Sequence, residues 1–504
     1  MPLVISSSAS TLELLAVMRQ LRAEVAAEGQ RIYERWEPHI HRRAFRISAL
    51  NLACYLALRR RDLRDLQRVL MAHGVSSLGR IESRVLPNID AVIAALEAIA
   101  GSERTVRRPR MQAFFRGERM LAYHTRAAFR SRFINGSRSV RIMVTFPSEA
   151  ATDYAFVRDL IRAGMDCARI NLAHDSPPAW EAMIEHVRRA ERELDRRCSI
   201  HVDLGGPKPR TLDVVTPNGA RLHIGDCVLL TRGQPIDSKD LPFQARCSLP
   251  EVLDQLQPGQ TVWFDDGKMS AIVEALRAEG ALLRVVKTTA KGYRLRAEKG
   301  LNFPETHLRL NPLTTDDLRA LDFIAAHGGI DMIGYSFVQD AADIEDLQRE
   351  LAVRLEHPER LAIIAKIETP RAVRRLPELI VHAAGKQPFG VMIARGDLAV
   401  ELGFERMAEM QEEILWVCEA AYVPVIWATQ VLETYIKKGT PSRSEMTDAA
   451  MAVRAECVML NKGPFIHNAV TILDDVLSRM QEHQNKKTPR LRRLRVWDDI
   501  VGGE

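Results

Sequence analysis

The sequence predicts an α/β fold: a TIM (β/α)8 barrel with a small all-β lid domain inserted into it and a helical N-terminal extension. Two observations predict the barrel. From residue 139 onward, short apolar segments rich in β-branched residues alternate with helical patterns, which is typical of βαβ units. There are eight such segments, the number of parallel strands that closes a barrel. They read VRIMVTF, CARINLA, SIHVDLG, DMIGYSFV, LAIIAKIE, FGVMIARGDL, PVIWATQ and CVMLN.

Residues 1–137 form a separate, basic helical region. Residues 11–101 carry apolar side chains three and four positions apart, which predicts amphipathic helices, and Gly74 and Gly101 are natural helix ends. The region holds 23 Arg, no Lys and 12 acidic residues. These arginines alternate with Leu, Ala and Glu as on solvated helices, so we expect packing or contacts within a homo-oligomer and no nucleic-acid binding. Residues 102–137 are expected to be an irregular linker.

The inserted domain is predicted over residues 212–298, where strand patterns alternate with turn signals and no long helix occurs. It follows the third barrel strand and therefore sits on a βα loop. Barrel active sites are built at that face, so we expect the insertion to act as a lid. The barrel then comprises residues 138–211 and 299–483, and residues 484–504 form a basic tail.

The composition is that of an ordinary globular protein, with 46% hydrophobic and 27% charged residues. No apolar run reaches the roughly 18 residues that span a bilayer, and the first residues lack the pattern of a secretory signal. The seven cysteines show neither a CxxC motif nor metal-ligand spacing. We therefore expect reduced thiols, a cytoplasmic location and no membrane contact.

Polar side chains follow the predicted strands at the points where they end. Because the carboxyl ends of barrel strands meet at one face, we expect these side chains to converge there. In chain order they are Arg169, Asn171 and His174 after the second strand, Asp203, Lys208 and Arg210 after the third, Ser336 after the fourth, then Lys366 and Glu368, Arg395 and Asp397, and Thr429.

This set predicts a site for phosphoryl chemistry. Lys366 and Glu368 occupy alternate positions of one strand, so both side chains face the same way. Burying charged groups inside a barrel costs free energy, which a bound ligand would offset. Glu368 and Asp397 offer two hard oxygen ligands and leave room for substrate oxygens, as Mg²⁺ prefers. Lys366, Arg169 and Arg210 supply the positive charge that stabilises a transferring phosphoryl group.

From about residue 139 to 480 the sequence resembles the pyruvate kinase family, in the order of its motifs as well as in their content. AKIE and ARGDL on consecutive strands are highly specific. The matching motifs are AGMDCARINLAHD (163–175), VDLGGPKPRT (202–211), FDDGKMS (264–270), KGLNFP (299–304), SFV (336–338), AKIE (365–368), ARGDLAVE (394–401), ATQVLE (428–433) and TPSRSEMTDAAMAV (440–453).

The resemblance implies transfer of the phosphoryl group of phosphoenolpyruvate to ADP, giving ATP and, after protonation of the enolate, pyruvate. It implies that Glu368 and Asp397 hold Mg²⁺ or Mn²⁺, that Lys366 stabilises the phosphoryl group and the enolate, and that Arg169 clamps the phosphate. By the same resemblance, Thr429 lies on the protonation side, and the backbone at Gly396 and Asp397 cradles the substrate carboxylate. The other matched positions are His174, Arg210, Asp266 and Lys299 near the nucleotide, and Asn171 and Asp203 at the monovalent-cation site.

The sequence departs from the family pattern at this cation site. Ala173 and Leu204 stand where hydroxyl residues are usual, and Lys208 stands where the family has Glu. At about 4 Å and an effective dielectric near 20, a unit charge is worth about 4 kcal/mol. Lys208 can therefore replace the charge of bound K⁺, and we expect turnover that does not need K⁺. The segments TFPSEA (145–150) and LNKGPFIH (460–467) also differ from the family, which leaves the acceptor nucleotide open.

Two other functions remain open. One is a different Mg²⁺-dependent enolate reaction, such as that of a 2-oxoacid aldolase or decarboxylase, and the other is a non-catalytic, ligand-binding regulatory role. Arg169, Arg210 and Lys366 favour a phosphoryl substrate, and the intact set of catalytic residues favours an enzyme. After the last predicted barrel helix a short basic tail follows, so we expect the C-terminal effector domain of the family to be missing.

Overall fold

The computed structural model describes residues 9–131 and 138–490, which form a barrel, a second sheet and a helical N-terminal region. The strands are β1 (Arg141–Thr145), β2 (Cys167–Asn171), β3 (Ser199–Asp203), β4 (Thr211–Val215), β5 (Cys227–Thr231), β6 (Gln244–Cys247), β7 (Thr261–Phe264), β8 (Met269–Leu276), β9 (Gly280–Lys287), β10 (Leu301–Asn302), β11 (Met332–Tyr335), β12 (Ala362–Ile367), β13 (Phe389–Ala394), β14 (Val425–Ala428), β15 (Cys457–Leu460), β16 (Gln484–Asn485) and β17 (Thr488–Pro489).

The α-helices alternate with the barrel strands and also build the N-terminal region. They are α1 (Thr11–Trp36), α2 (Arg46–Arg59), α3 (Arg64–Ala72), α4 (Val85–Ala100), α5 (Met111–Phe114), α6 (Arg116–Phe129), α7 (Tyr154–Ala163), α8 (Pro177–Leu194), α9 (Thr315–His327), α10 (Ala341–Arg354), α11 (Pro370–Ala384), α12 (Arg395–Leu402), α13 (Phe404–Ala420), α14 (Glu433–Lys438), α15 (Arg443–Met451) and α16 (Ile466–Met480).

Eight strands close the barrel in the order β1-β15-β14-β13-β12-β11-β3-β2, which confirms the predicted TIM barrel. All eight predicted strand segments take part, and all neighbours in the barrel are parallel. The strands are buried nearly throughout, because helices cover the barrel from outside and side chains fill it. Their carboxyl ends therefore meet at one face, as the sequence predicts.

The second sheet lies between β3 and α9 in the chain, where the inserted β domain is predicted. Seven strands form it, in the order β10-β7-β8-β9-β5-β6-β4. It has a hydrophobic core of its own, which includes the buried residues Val228, Phe264 and Leu283. The polypeptide leaves the barrel after β3 and returns through β10, so this sheet stands at the carboxyl ends of the barrel strands.

The N-terminal region contains the predicted amphipathic helices. α1 packs on α2 and α4, and α2 in turn packs on α13 of the barrel. Asn51 joins the two parts, because its side-chain amide donates hydrogen bonds to the carbonyl oxygens of Glu82 (2.7 Å) and Ala420 (2.8 Å). α4 ends at Gly101 in a left-handed conformation, φ 62°, which glycine adopts without strain.

The prediction of an irregular linker over residues 102–137 is wrong for residues 111–129, where α5 and α6 lie. α6 is amphipathic, and burial of one face against the barrel stabilises it in spite of its high Arg content. Phe129 at its end joins the cluster of side chains that includes Met143, Met332 and Met392 of the barrel strands. Residues 132–137, the rest of that predicted linker, lie outside the described residues.

Phe129 closes the end of the barrel opposite the polar strand ends. The Arg141 guanidinium, at the start of β1, lies 4.9 Å from the Phe129 ring centroid, and Ser199, at the start of β3, donates a hydrogen bond to the Phe129 carbonyl. The end of the α6 helix therefore covers the amino-terminal end of the barrel.

No described helix is long and apolar enough to cross a membrane. After α16 the chain forms a short antiparallel hairpin of β16 and β17, which lies in the described part of the predicted basic tail. The remainder of that tail, residues 491–504, lies outside the described residues.

Phe129→Ala is expected to lower the free energy of unfolding by about 3–5 kcal/mol, because it empties a fully buried aromatic site at the end of the barrel. Denaturant unfolding of the whole chain measures this change. Met111→Ala is the control, since Met111 is 78% exposed on the neighbouring α5, and it is expected to shift the value by about 0.5 kcal/mol or less. Equal effects of both substitutions would show that α6 does not pack on the barrel as described.

Candidate active site

Arg169, Asp203 and Lys366 form a buried charge cluster at the carboxyl ends of β2, β3 and β12. Arg169 Nε lies 2.8 Å from Asp203 Oδ2, and Arg169 Nη1 donates to Thr145 Oγ1 at 2.9 Å. Lys366 Nζ lies 3.8 Å from the same Asp203 oxygen and 3.1 Å from Glu368 Oε1. Asp203 thus holds two cations on adjacent sides of one pocket.

Hydrogen bonds from neighbouring strand ends fix Lys366 and Glu368. The Lys366 ammonium donates to Ser336 Oγ at 2.7 Å, and this hydroxyl donates to the Leu204 carbonyl, also at 2.7 Å. Glu368 Oε2 accepts the Phe337 backbone N–H at 2.6 Å. Phe337 has φ 56°, an uncommon backbone conformation for a bulky residue, and it directs that N–H at the carboxylate.

Asp397 is the acidic partner of Lys208. Lys208 Nζ lies 2.7 Å from Asp397 Oδ1, which also receives a 3.4 Å hydrogen bond from Asn302 Nδ2. The same Asn302 amide nitrogen lies 3.1 Å from Glu401 Oε1. Lys208 is 17% exposed and therefore mostly buried. Its ammonium group therefore lies beside Asp397, one of the two predicted ligands of the divalent metal.

The two residues predicted for the monovalent cation have protein partners of their own. Asn171 Oδ1 accepts the Ala173 backbone N–H at 3.1 Å. Asp203 Oδ1 lies 2.5 Å from His201 Nε2, while its other oxygen faces Arg169 and Lys366. Asp203 is therefore surrounded by positive charge and hydrogen-bond donors.

Burial and neighbouring charges set the pKa values of these groups. Burial alone raises the pKa of Asp203, but the charges of Arg169 and Lys366 hold it well below the ordinary value. Burial likewise raises the pKa of Asp397, and Lys208 outweighs it, so that pKa is lowered. Burial raises the pKa of Glu368; Lys366 opposes this and the charge of Asp397 adds to it. The pKa of Lys366 is raised, because Glu368 and Asp203 overcome its burial.

The donor set of Glu368 and Asp397 fits Mg²⁺ or Mn²⁺. Both are carboxylates, the hard oxygen ligands that these ions take, and the charge of Asp397 raises the pKa of Glu368. Their mutual repulsion is what a bound dication would relieve. Two protein ligands also leave coordination positions free for the oxygens of a substrate.

Thr429 lies on a strained loop after β14, and an ion pair holds it in place. Thr429 has φ 65° and Gln430 has φ 57°, which are costly conformations for residues with a Cβ. Arg395 Nη2 donates to the Thr429 carbonyl at 2.6 Å, and Asp448 binds the same guanidinium at 2.5 and 2.8 Å. The Thr429 hydroxyl accepts the Gly396 backbone N–H at 2.8 Å.

The predicted cradle at Gly396 and Asp397 therefore lies beside Thr429. Both residues belong to the first turn of α12, where backbone N–H groups have no partner within the helix. Such a helix end favours an anion. In this structure the Thr429 hydroxyl takes the Gly396 N–H, so a carboxylate bound there would compete with Thr429 for that donor.

A group of cations surrounds His174 at the side of the pocket next to β15. Burial lowers the pKa of His174, and Lys462, Arg210 and Arg169 lower it further by their charge. The Trp180 indole N–H donates to the His174 carbonyl at 2.7 Å and fixes this loop. His174 is therefore favoured as a neutral imidazole inside a cationic patch, an environment suited to phosphates.

Asp266 and Lys299, both predicted near the nucleotide, lie at one end of the second sheet. Lys299 Nζ lies 3.3 Å from Asp265 Oδ1. Asp265 and Asp266 form the turn between β7 and β8 with positive φ values of 50° and 54°. Arg210 directly precedes β4 of the second sheet, and its backbone N–H donates to Ser248 Oγ at 2.8 Å.

In the structure, the residues predicted to bind the metal, the phosphate and the carboxylate lie together at the carboxyl ends of the barrel strands. Sequence reasoning gave no role to several residues that contact them. Asn302, Glu401 and Asp448 lie within motifs that carry the family resemblance, so a signal for them was present. Lys462 lies in LNKGPFIH, which departs from the family, and its position next to His174 follows from the fold.

Comparison with known proteins agrees with this geometry. The family model for the barrel domain of pyruvate kinase matches residues 137–465. A pyruvate kinase of Thermococcus litoralis is 32% identical over 372 residues, 72% of this chain and 74% of that protein. One of Methylorubrum extorquens is 35% identical over 332 residues, 64% of each chain. Human pyruvate kinase PKLR is 31% identical over 350 residues, 66% of this chain and 58% of the human protein. The chain belongs to the pyruvate kinase family of enzymes.

Proposed function

We propose that the protein transfers the phosphoryl group of phosphoenolpyruvate to ADP, giving ATP and pyruvate. The observation that carries the proposal is the position of Lys366: its ammonium lies 3.1 Å from Glu368 and 3.8 Å from Asp203, at the mouth of the barrel. Lys366 is a cation held rigidly next to two acidic groups, one of which is a candidate metal ligand. This is the arrangement that stabilises the charge of a transferring phosphoryl group.

Different groups are proposed to bind the phosphate and the carboxylate of phosphoenolpyruvate. Arg169 and Lys366 bind the phosphate of phosphoenolpyruvate, and the first turn of α12 at Gly396 and Asp397 binds its carboxylate. After transfer, Lys366 stabilises the enolate oxygen. Thr429 is proposed to act on the side from which the enolate carbon is protonated, and the Arg395–Asp448 ion pair supports the loop that carries it.

The family generally uses a divalent metal, and Glu368 and Asp397 would hold Mg²⁺ or Mn²⁺ here. When bound, the dication neutralises charge on the phosphoryl oxygens. The nucleotide is proposed to bind between the barrel and the second sheet, with His174, Arg210 and Lys462 at its phosphates and Asp266 and Lys299 on the lid side. Residues 212–298 would then close over both substrates.

The two alternatives, another enolate reaction or a non-catalytic role, lack a specific observation in their favour. Arg169 and the His174 patch add positive charge that a bare oxoacid does not require. A cytoplasmic location and a homo-oligomer stay predictions; the seven free thiols fit a reducing compartment.

Lys366→Met is expected to lower kcat for pyruvate release by at least about 10²–10³-fold, because it removes the cation at the transferring group. A coupled pyruvate assay with phosphoenolpyruvate, Mg²⁺ and ADP or GDP measures this change. Lys437→Met, 59% exposed on α14, is the matched control and is expected to keep the wild-type rate. A wild type that binds phosphoenolpyruvate in the presence of metal, yet releases no pyruvate with any diphosphate, would contradict the proposed function.

Turnover of the wild type is expected to be the same with and without K⁺, because the Lys208 ammonium brings a fixed positive charge into the pocket, where it pairs with Asp397 (2.7 Å) rather than with the predicted cation-site residues Asn171 and Asp203. Lys208→Glu removes that charge and restores the family's usual acid. The variant is therefore expected to need K⁺, with its rate in K⁺-free buffer lowered about tenfold or more, since an electrostatic change of about 1.4 kcal/mol is a factor of ten. A wild-type rate that collapses without K⁺ and returns on its addition would refute this expectation.

A further inference from the structure

His39, Glu345 and His382 form a cluster outside the active site, where the N-terminal region meets the barrel. One ligand atom from each residue lies within 4.8 Å of the other two. His39 follows α1, while Glu345 lies on α10 and His382 on α11. His382 Nδ1 is 2.9 Å from Glu345 Oε1, and His39 Nδ1 is 3.9 Å from the same oxygen. Three potential metal ligands thus come from three elements and from both parts of the chain.

We propose that this cluster binds one divalent transition-metal ion of the Zn²⁺ type, which joins the N-terminal region to the barrel. Two imidazoles and a carboxylate are a common ligand set for zinc, with a fourth position left for water. Imidazole nitrogen also selects transition metals over Mg²⁺, which prefers oxygen ligands. The proposed ion is therefore distinct in chemistry from the dication at Glu368 and Asp397.

The backbone beneath the two imidazoles is fixed. The Gly385 carbonyl accepts the N–H groups of His41 (2.9 Å) and Arg42 (2.7 Å), and Arg42 Nη1 donates to the Gln387 carbonyl at 2.7 Å. A Cβ on Gly385 would lie 2.5 Å from the His39 carbonyl oxygen, so this close approach requires glycine. The segment that carries His39 is thus attached to the end of the helix that carries His382.

The protonation states also suit a metal. Burial lowers the pKa of His39, and the neighbouring His382 lowers it further. The hydrogen bond from His382 lowers the pKa of Glu345. The negative charge of Glu345 opposes this and raises the pKa of His39, while Lys386 and His41 lower it. Burial and the neighbouring groups therefore favour a neutral His39 imidazole and an ionised Glu345 carboxylate, the forms that coordinate metal.

Binding requires a small movement of side chains. The rings of His39 and His382 are stacked, with centroids 3.9 Å apart and an angle of 28° between their planes. Nitrogen lone pairs lie in the ring plane, so one ring must rotate before both can share one ion. His39 is 40% exposed and Glu345 is 38% exposed, which leaves room for that rotation, while His382 at 14% is the fixed ligand.

A metal titration of the full-length protein tests the proposal. After treatment with a chelator, Zn²⁺ is added in saturating Mg²⁺, which keeps the active-site carboxylates occupied, and heat release is measured by calorimetry. The wild type is expected to show one Zn²⁺ site that is weakened at least about tenfold in Glu345→Gln and in His382→Ala. Zn²⁺ is also expected to raise the Tm of the wild type and not that of the variants, because it binds the folded state.

A conservative variant and a control variant make the result decisive. Glu345→Gln keeps the shape of the side chain and a hydrogen-bond acceptor for His382, so it separates loss of a ligand from loss of folding. His327→Ala is the control: His327 forms a comparable pair with Glu181, at 3.1 Å, on α9 and α8, and its loss is expected to leave Zn²⁺ binding unchanged. Equal Zn²⁺ affinity and stoichiometry in the wild type, Glu345→Gln and His382→Ala would overturn the proposal and assign the binding to other surface groups.

Discussion

The structure depends on one electrostatic constraint: charges buried at the mouth of an apolar barrel must neutralise one another. Glu368, at 2% exposure, and Asp203, at 1%, are almost removed from water, and each faces Lys366. Loss of one partner of such a pair costs about 3–5 kcal/mol, because the remaining charge stays buried and uncompensated. The fold therefore keeps these buried charges and their counterions together, and the positions of the candidate catalytic groups and the stability of the barrel mouth have the same physical basis.

Much of this arrangement could be predicted because the periodicity of a parallel barrel is simple. Strand segments buried on both faces are apolar until their last residues, so polar residues such as Lys366 and Glu368 mark the end of a strand and the side on which it opens. The family motifs then assign roles to the same residues. Prediction was weaker where long-range contacts decide: the partner of Lys208 depends on how the loop after β3 lies against α12, which no local pattern encodes.

The linker before the barrel shows the opposite limitation. Arginine-rich segments without clear periodicity are expected to be irregular, yet α6 is helical because Phe129 and its neighbours are buried against the barrel. Arginines elsewhere in the N-terminal region also have intramolecular partners. The Arg59 guanidinium lies 4.9 Å from the Trp416 ring centroid, and that of Arg84 lies 4.8 Å from the Phe115 ring centroid. Composition alone cannot distinguish such packed arginines from those that bind an external polyanion, because the difference lies in which surface covers them.

The closed amino-terminal end of the barrel has a consequence for the passage of ligands. Among the described residues, Phe129 and the methionines inside the barrel leave that end packed, so the opening to the pocket lies at the other end, on the side of the second sheet. Everything that enters must leave by the same opening. Any movement of the second sheet relative to the barrel would thus act on arrival and departure alike, and a change far from the reacting atoms would alter the rate of turnover without altering the chemistry.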